Sequence, residues 1–482
     1  MKANKYFNNK FRLGNERRNF LSEMLFGILT FISFFLFKCE DKRNGINSDN
    51  TSISEYLNKI SVINPMSSPY NAKFDGVTDD SLAIQNAIND LPENGLLLLP
   101  NGKDLALILS PITLKSNITL YSEGSGFKGI KTSPTNILSG TGLQNIKIKG
   151  IVVDGGAMDA ATDIGSIRTI RFVNCSNIRI EECEVSHGFD WQLSFENCMD
   201  CHVRNHQSYG MGNGYPGGRD GIHFLDCDNC SVEGAYIESG DDCVGVTTKN
   251  KTSKNISIKN ISGKSAIGSI VVFAQEVNTA YQISSGKVSN IEARATVRHI
   301  LCVKATKGVT HKDFYFDNIR GTSSSDGIYL KKVNNLKFSG GCYVKSTTQH
   351  GIYLDGCTNV SIGEGVTAKA TGKKFCGLQI DGGCSNVIVN GAEFKESGLW
   401  GVQLLNSSDI FLCNVRSYEN GGASFSSNTG GNLRVSNCTR VRINNGIYSG
   451  ALTTSYYGIA LASGTGGTDV VITNAIRSGK NP

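Results

Sequence analysis

The chain has 482 residues, enough for two or three average domains, and its 55 glycines, 39% hydrophobic and 19% charged residues describe a folded, turn-rich protein and exclude wholesale disorder. The formal net charge of +6 is concentrated in the first 38 residues, beyond which acidic and basic side chains nearly balance. No basic run marks a nucleic-acid partner, and the overall charge says little about an anionic one.

Lys2, Lys5, Lys10, Arg12, Arg17 and Arg18 precede an uncharged apolar run from Met24 to Phe37. The run is shorter than the ~20 residues a membrane-spanning helix needs, so residues 1–38 are expected to be a cleaved signal peptide. Cys39 follows the run directly and is the candidate lipid-attachment site, through which the chain would be held to a membrane. Lys38 stands where a small residue normally precedes a lipidated cysteine, which leaves simple secretion as the alternative. Either way the expected location is outside the cytoplasm: secreted, periplasmic or as an outer-membrane lipoprotein. Residues 39–66 are polar and read as a tether, and residues 67–482 as one catalytic domain.

The first regular element is helical. Ser81 to Leu91 places Ile84 with Ile88, and Ala87 with Leu91, on one stripe, with Thr78, Asp79 or Asp80 available as the cap. From about residue 140 a different phrase recurs: a polar turn rich in Asn, Asp or Cys, then a short alternating strand. Cys175, Cys198 and Cys227 mark successive copies 23 and 29 residues apart, and Cys357 and Cys384 mark two more, 27 apart. A repeat this short cannot bury its own apolar face, so the coils must stack about 4.8 Å apart. The predicted fold is therefore all-β, a right-handed single-stranded parallel β-helix whose open end is covered by the N-terminal helix. Asn at the turns tolerates left-handed backbone, and like residues can stack into ladders. Cys198-x-x-Cys201 and Cys227-x-x-Cys230 have zinc-like spacing, but recurrence at one point of the repeat makes a structural role the better reading. Cysteine pairing cannot be assigned from spacing.

Arg219-Asp220-Gly221-Ile222 and Ser239-Gly240-Asp241-Asp242-Cys243-Val244 carry the chemistry. Asp220 and Asp241 are 21 residues apart, about one coil, so stacking gathers them with Asp242 on neighbouring rungs. Carboxylates so close repel one another and raise the proton affinity of at least one. An acid beside ionised carboxylates suits glycoside hydrolysis by inversion. An isolated Asp-Gly or Asp-Asp would be an ordinary turn; three aspartates in register are not.

These two segments resemble the polygalacturonase family of inverting glycoside hydrolases (family 28), whose signature is Asn-Thr-Asp, Gly-Asp-Asp-Cys, Gly-His-Gly and Arg-Ile-Lys. Phe74-Asp75-Gly76-Val77-Thr78-Asp79-Asp80 is similar to the opening segment of pectin-degrading β-helices, and the resemblance spans about residues 68 to 345. It implies that Asp241 is the general acid, that Asp220 and Asp242 activate water, and that Lys304 binds a sugar carboxylate. The chain departs from the pattern at Gly263, where the family has histidine, at Cys302, where it has arginine, and at Gly218-Arg219, where it has Asn-Thr. A thiol cannot reproduce a guanidinium's bidentate grip on a carboxylate, so Arg219, Lys264 or His299 is expected to compensate. Trp191, in a stretch similar to the family's Ser-Pro-x-Trp, is a candidate sugar platform or a packing residue, and Tyr329 and Tyr353 are of the same kind.

The expected protein is a monomeric glycoside hydrolase that acts on a pectin-like or related plant or algal polysaccharide without metal or cofactor. A polysaccharide lyase on the same fold, its aspartates binding Ca²⁺, and a non-catalytic glycan-binding solenoid are the alternatives.

Overall fold

The computed structural model describes residues 61–157, 167–210, 219–276, 280–306, 308–421, 430–450, 457–461 and 469–477. The expected signal peptide, Cys39 and most of the tether lie outside them. The described chain is a right-handed parallel β-solenoid of about 13 turns. Every strand pairing between coils is parallel, as in Leu193↔Ile222↔Val244↔Val271↔Leu301↔Ile328. One sheet has 14 strands, a single strand per coil from Ile112–Thr113 to Tyr457–Leu461. Pairing begins earlier than the composition suggests: Val62 and Ile63 pair with Leu96 and Leu97, inside the stretch read as tether.

Alternation builds the core. In the strand Ile170–Val173 the side chains Ile170 and Phe172 turn inward and are fully buried, and the next coils place Phe195 and Phe224 directly above. The rings stack at 5.5 and 5.2 Å. Removing the central ring of this stack leaves a void that flanking coils cannot close, so Phe195→Ala should cost about 3–5 kcal/mol and lower the denaturant midpoint measured by circular dichroism.

The turn residues divide by direction. The turn cysteines face inward; among the described residues every cysteine but Cys413 is buried and none is in a disulfide, and Cys175 N–H donates to Cys198 Sγ at 3.3 Å. Asparagines face outward in left-handed backbone, φ +57° at Asn145 and +52° at Asn177, and chain their amides from Asn177 to Asn145 to Asn117 at 2.7 Å each.

The helix spans Ser81–Asp90 and buries Ile84, Ala87 and Ile88 as the stripe requires. Gln85 ties it to the first coils, accepting from Thr113 N–H at 2.8 Å and donating to Thr113 carbonyl at 3.0 Å. At its start Asp79 accepts from the Ser81 N–H at 3.0 Å, one of the capping roles expected, while Asp80 occupies the cap position but spends its carboxylate on the amides of Lys73 and Phe74, at 2.7 and 2.8 Å. Among the described residues, no helix is long and apolar enough to cross a membrane.

Candidate active site

The site lies just ahead of the 14-stranded sheet, where backbone bonds continue the register. Gly221 N–H donates to Asp242 carbonyl at 3.0 Å, Cys243 N–H to Ser269 carbonyl at 2.8 Å and Ile270 N–H to His299 carbonyl at 3.2 Å. Asp220, Asp242, Ser269 and His299 therefore form one column, a residue per coil. The rung partner of Asp220 is Asp242 rather than Asp241, which precedes it by one position. The three aspartates nevertheless converge, with an oxygen from each within 4.8 Å of the others.

Backbone geometry holds them there. Asp242 N–H donates to Asp220 Oδ1 at 3.0 Å, and Ser269 N–H donates to Asp242 Oδ1 at 2.6 Å. The Asp241 carbonyl accepts from the hydroxyls of Ser239 and Ser265, at 2.7 and 2.6 Å. Gly268 must lack a side chain, since a Cβ there would sit 2.5 Å from both the carbonyl carbon and Oδ1 of Asp241. Burial, then Asp220 and Asp241, raise the carboxyl of Asp242 well above the usual range.

His223, which sequence reasoning passed over, completes the cluster. Its Nδ1 lies 2.5 Å from Asp220 Oδ2, and its Nε2 lies 2.6 Å from Thr247 Oγ1 and 3.5 Å from Glu276 Oε1. Gly245 makes room, because a Cβ there would come within 2.7 Å of the imidazole. Burial alone would lower the proton affinity of His223, but Asp220 and Glu276 outweigh it and push the ring up to about 9. The same bond, against burial, holds Glu276 down at about 2. The available signal was the alternation Ile222 in, His223 out, beside a catalytic candidate.

The imidazole also stacks on Trp191, 3.5 Å between centroids and 3° from parallel, while the Arg168 guanidinium lies 4.0 Å from the same ring. Arg168 belongs to the coil before Trp191 and His223 to the coil after, so both faces of the indole are covered. A sugar can meet only its edge, and the platform role is closed off in this geometry.

The other substrate-binding candidates separate. Arg219 is fully buried within the wall, not presented to a cleft. Lys264 pairs with Glu238 at 2.7 Å on the other sheet. Gly263 leaves no space for a histidine, since even a Cβ would lie 2.2 Å from the Ile237 carbonyl. Lys304 is exposed at the end of Leu301–Lys304, and its charge, with that of Arg298, reaches His299. Burial first, then these two cations, push His299 down to about 4, so its ring is neutral at pH 7. Cys302 lies near enough to Asp242 that burial and that carboxylate push its thiol up to about 12. On the coil between the acidic rungs and this basic rung the strand Val271–Gln275 turns Val272 and Ala274 outward, half-buried, with Gly268 and Ser269 just ahead of it.

The aspartates are the only group among the described residues spaced to gather a cation. His223 already supplies compensating positive charge at Asp220. The arrangement suits proton transfer: one carboxyl with raised proton affinity beside a carboxylate bonded on both oxygens.

Residues 68–292 match a family described as rhamnogalacturonase A/epimerase, pectate lyase-like, and this stretch contains all three aspartates, His223 and Glu276. No curated protein sequence matches the chain. The N-terminal fragment of the bacteriophage Phi29 gene product 12 superposes with TM-score 0.57 at 12% identity, over 86% of this chain and 72% of that one. The A-module of the Azotobacter vinelandii mannuronan C-5 epimerase AlgE6 gives 0.52 at 15% identity, over 87% and 99%. The hyperthermoactive exopolygalacturonase of Thermotoga maritima gives 0.43 at 15%, over 74% and 95%. At these identities the likeness is one of fold.

Proposed function

We propose that this chain hydrolyses glycosidic bonds of a polysaccharide by acid–base catalysis with inversion. The observation that carries the reading is the convergence of Asp220, Asp241 and Asp242 within 4.8 Å, with the proton affinity of Asp242 raised by burial and then by its two neighbours. Hydrolysis needs one carboxyl to protonate the leaving oxygen and one carboxylate to take a proton from water. The Asp241–Asp242 pair supplies the first and Asp220 the second. This moves Asp242 from the base side, where the family resemblance puts it, to the proton-holding side. Lys304 and Arg298, on a later coil of the same column, favour an acidic glycan of the pectin or uronan kind.

The nearest carboxylate oxygens are closer than the ~6.5–9.5 Å usual between the two carboxyls of an inverting pair. Inversion is still expected, because both oxygens of Asp220 are engaged by His223 and the Asp242 amide, which leaves it a poor covalent nucleophile. The test is a polysaccharide panel incubated with purified protein. Reducing ends should appear whether or not a chelator is present, and proton nuclear magnetic resonance of the first product should show the inverted anomer. A retained anomer would sink the mechanism, and loss of activity with chelator would sink the metal-free reading.

A second reading rests on His299, whose ring in the basic rung is neutral at pH 7 and so open to a proton from beside a sugar carboxylate, although burial and the two cations make it a weak base. That chemistry belongs to lyases and epimerases, and an unsaturated, ultraviolet-absorbing product would identify the lyase form.

A further inference from the structure

An imidazole with a carboxylate in reach of each ring nitrogen, and whose neighbouring hydroxyl is itself bonded to one of those carboxylates as Thr247 is to Glu276, is favoured as a cation that donates from both. His223 is in that position. Nδ1 faces Asp220 Oδ2 at 2.5 Å, and Nε2 faces the Thr247 hydroxyl at 2.6 Å and Glu276 Oε1 at 3.5 Å. The ring cannot turn away, because it lies flat on Trp191 at 3.5 Å, with Arg168 behind the indole. The charged groups around it are Asp220, Asp242 on the next rung, Glu276 with Lys249 beside it, and Arg168 beyond the indole.

We propose that His223, clamped as an imidazolium between Asp220 and Glu276, is the positioning residue that decides which carboxylate of the triad stays free of protons. This rests on the acid–base reading of the triad above. Three carboxylates this close cannot all be ionised at little cost, and nothing in their types alone says which takes the proton. A cation against Asp220 favours its ionised form and aims its oxygens. The proton is left to Asp241 and Asp242, where a leaving group needs it. Glu276 acts one step further out: without it Nε2 would face only a hydroxyl, and the ring could lose its charge within the working pH range. His223 touches no reacting atom in this scheme.

The experiment reads the clamp and the chemistry separately. In the full chain labelled with ¹⁵N-histidine, the His223 signal, identified by its absence in His223→Gln, should stay that of an imidazolium through pH 8. In Glu276→Gln its midpoint should fall by about one pH unit or more. On whichever polysaccharide of the panel is cleaved, Glu276→Gln should draw the alkaline limb of kcat down by the same amount with KM unchanged. His223→Gln should lower kcat at least ~10-fold. A His223 midpoint near the ordinary ~6.5, or one unmoved in Glu276→Gln, overturns the clamp even if no substrate is found. A shifted midpoint with an unshifted alkaline limb overturns the positioning role. A verified clamp in a protein that cleaves nothing on the panel counts against the hydrolase reading and leaves the charge arrangement standing. Should His223→Gln fail to fold, Glu276→Gln, altered only at the outer carboxylate, still decides.

Discussion

Asp241→Asn is expected to reduce hydrolysis by at least ~10²-fold while leaving the fold and substrate affinity in place. Asn has nearly the outline of Asp, so no cavity opens, and the backbone at this position is held by groups the substitution does not touch. The Asp241 carbonyl keeps the hydroxyls of Ser239 and Ser265, and Gly268 keeps its close approach. What disappears is a carboxyl able to pass a proton to the leaving oxygen. Loss of an interaction made only in the transition state lowers kcat and kcat/KM together and leaves binding alone. Reducing-end kinetics, calorimetric binding of the uncleaved polysaccharide and a circular dichroism melt would check the three parts. Near-normal turnover on a verified substrate would remove Asp241 from the mechanism.

How much of this was legible in the sequence follows from what repeats and what does not. A solenoid writes its period into the chain, so Cys198 and Cys227 mark stacked turns from their spacing alone, and the coil length brings Asp220 to its neighbours. The helix stripe at Ile84, Ala87 and Ile88 was equally plain. Contacts made across the stack by residues of ordinary appearance were not. His223 is one histidine in a strand, and only the register that sets it over Trp191 and under Glu276 gives it a partner at each nitrogen. Arg298 is likewise anonymous until Lys304 and His299 are beside it. Trp191 suggested a platform because an exposed indole is the default picture of one; Arg168 and His223, from adjacent coils, take both faces. Val62 and Ile63 were overlooked because two apolar residues in a polar stretch carry no period, although Leu96 and Leu97 give them a sheet to join.

Asp242→Asn should raise stability while lowering activity. The carboxyl of Asp242 binds a proton more tightly in the folded chain than in the unfolded one, where its pKa returns to about 3.9. The folded state then holds the extra proton, so stability falls as pH rises above about 4 and goes on falling until the folded-state carboxyl ionises. Asn bears no charge at any pH and keeps an oxygen for the Ser269 amide, which now lies 2.6 Å from Oδ1. The variant escapes the repulsion from Asp220 and Asp241, and its melting temperature should exceed that of the parent by on the order of a few degrees at pH 8, the two converging near pH 4. His223 runs in the same direction in both proteins: its stabilising contribution is complete below about 6.5 and is lost as pH rises through about 9, so it largely cancels from the difference. Hydrolysis by the variant should fall at least ~10²-fold, since the proton-holding pair has lost a member. A protein made more stable and less active by one neutralised carboxylate is what a site built from mutual repulsion predicts. Melting curves of the two proteins from pH 4 to 9 decide it: an Asp242→Asn variant no more stable than the parent at pH 8 would mean that the resting proton of the triad is held elsewhere.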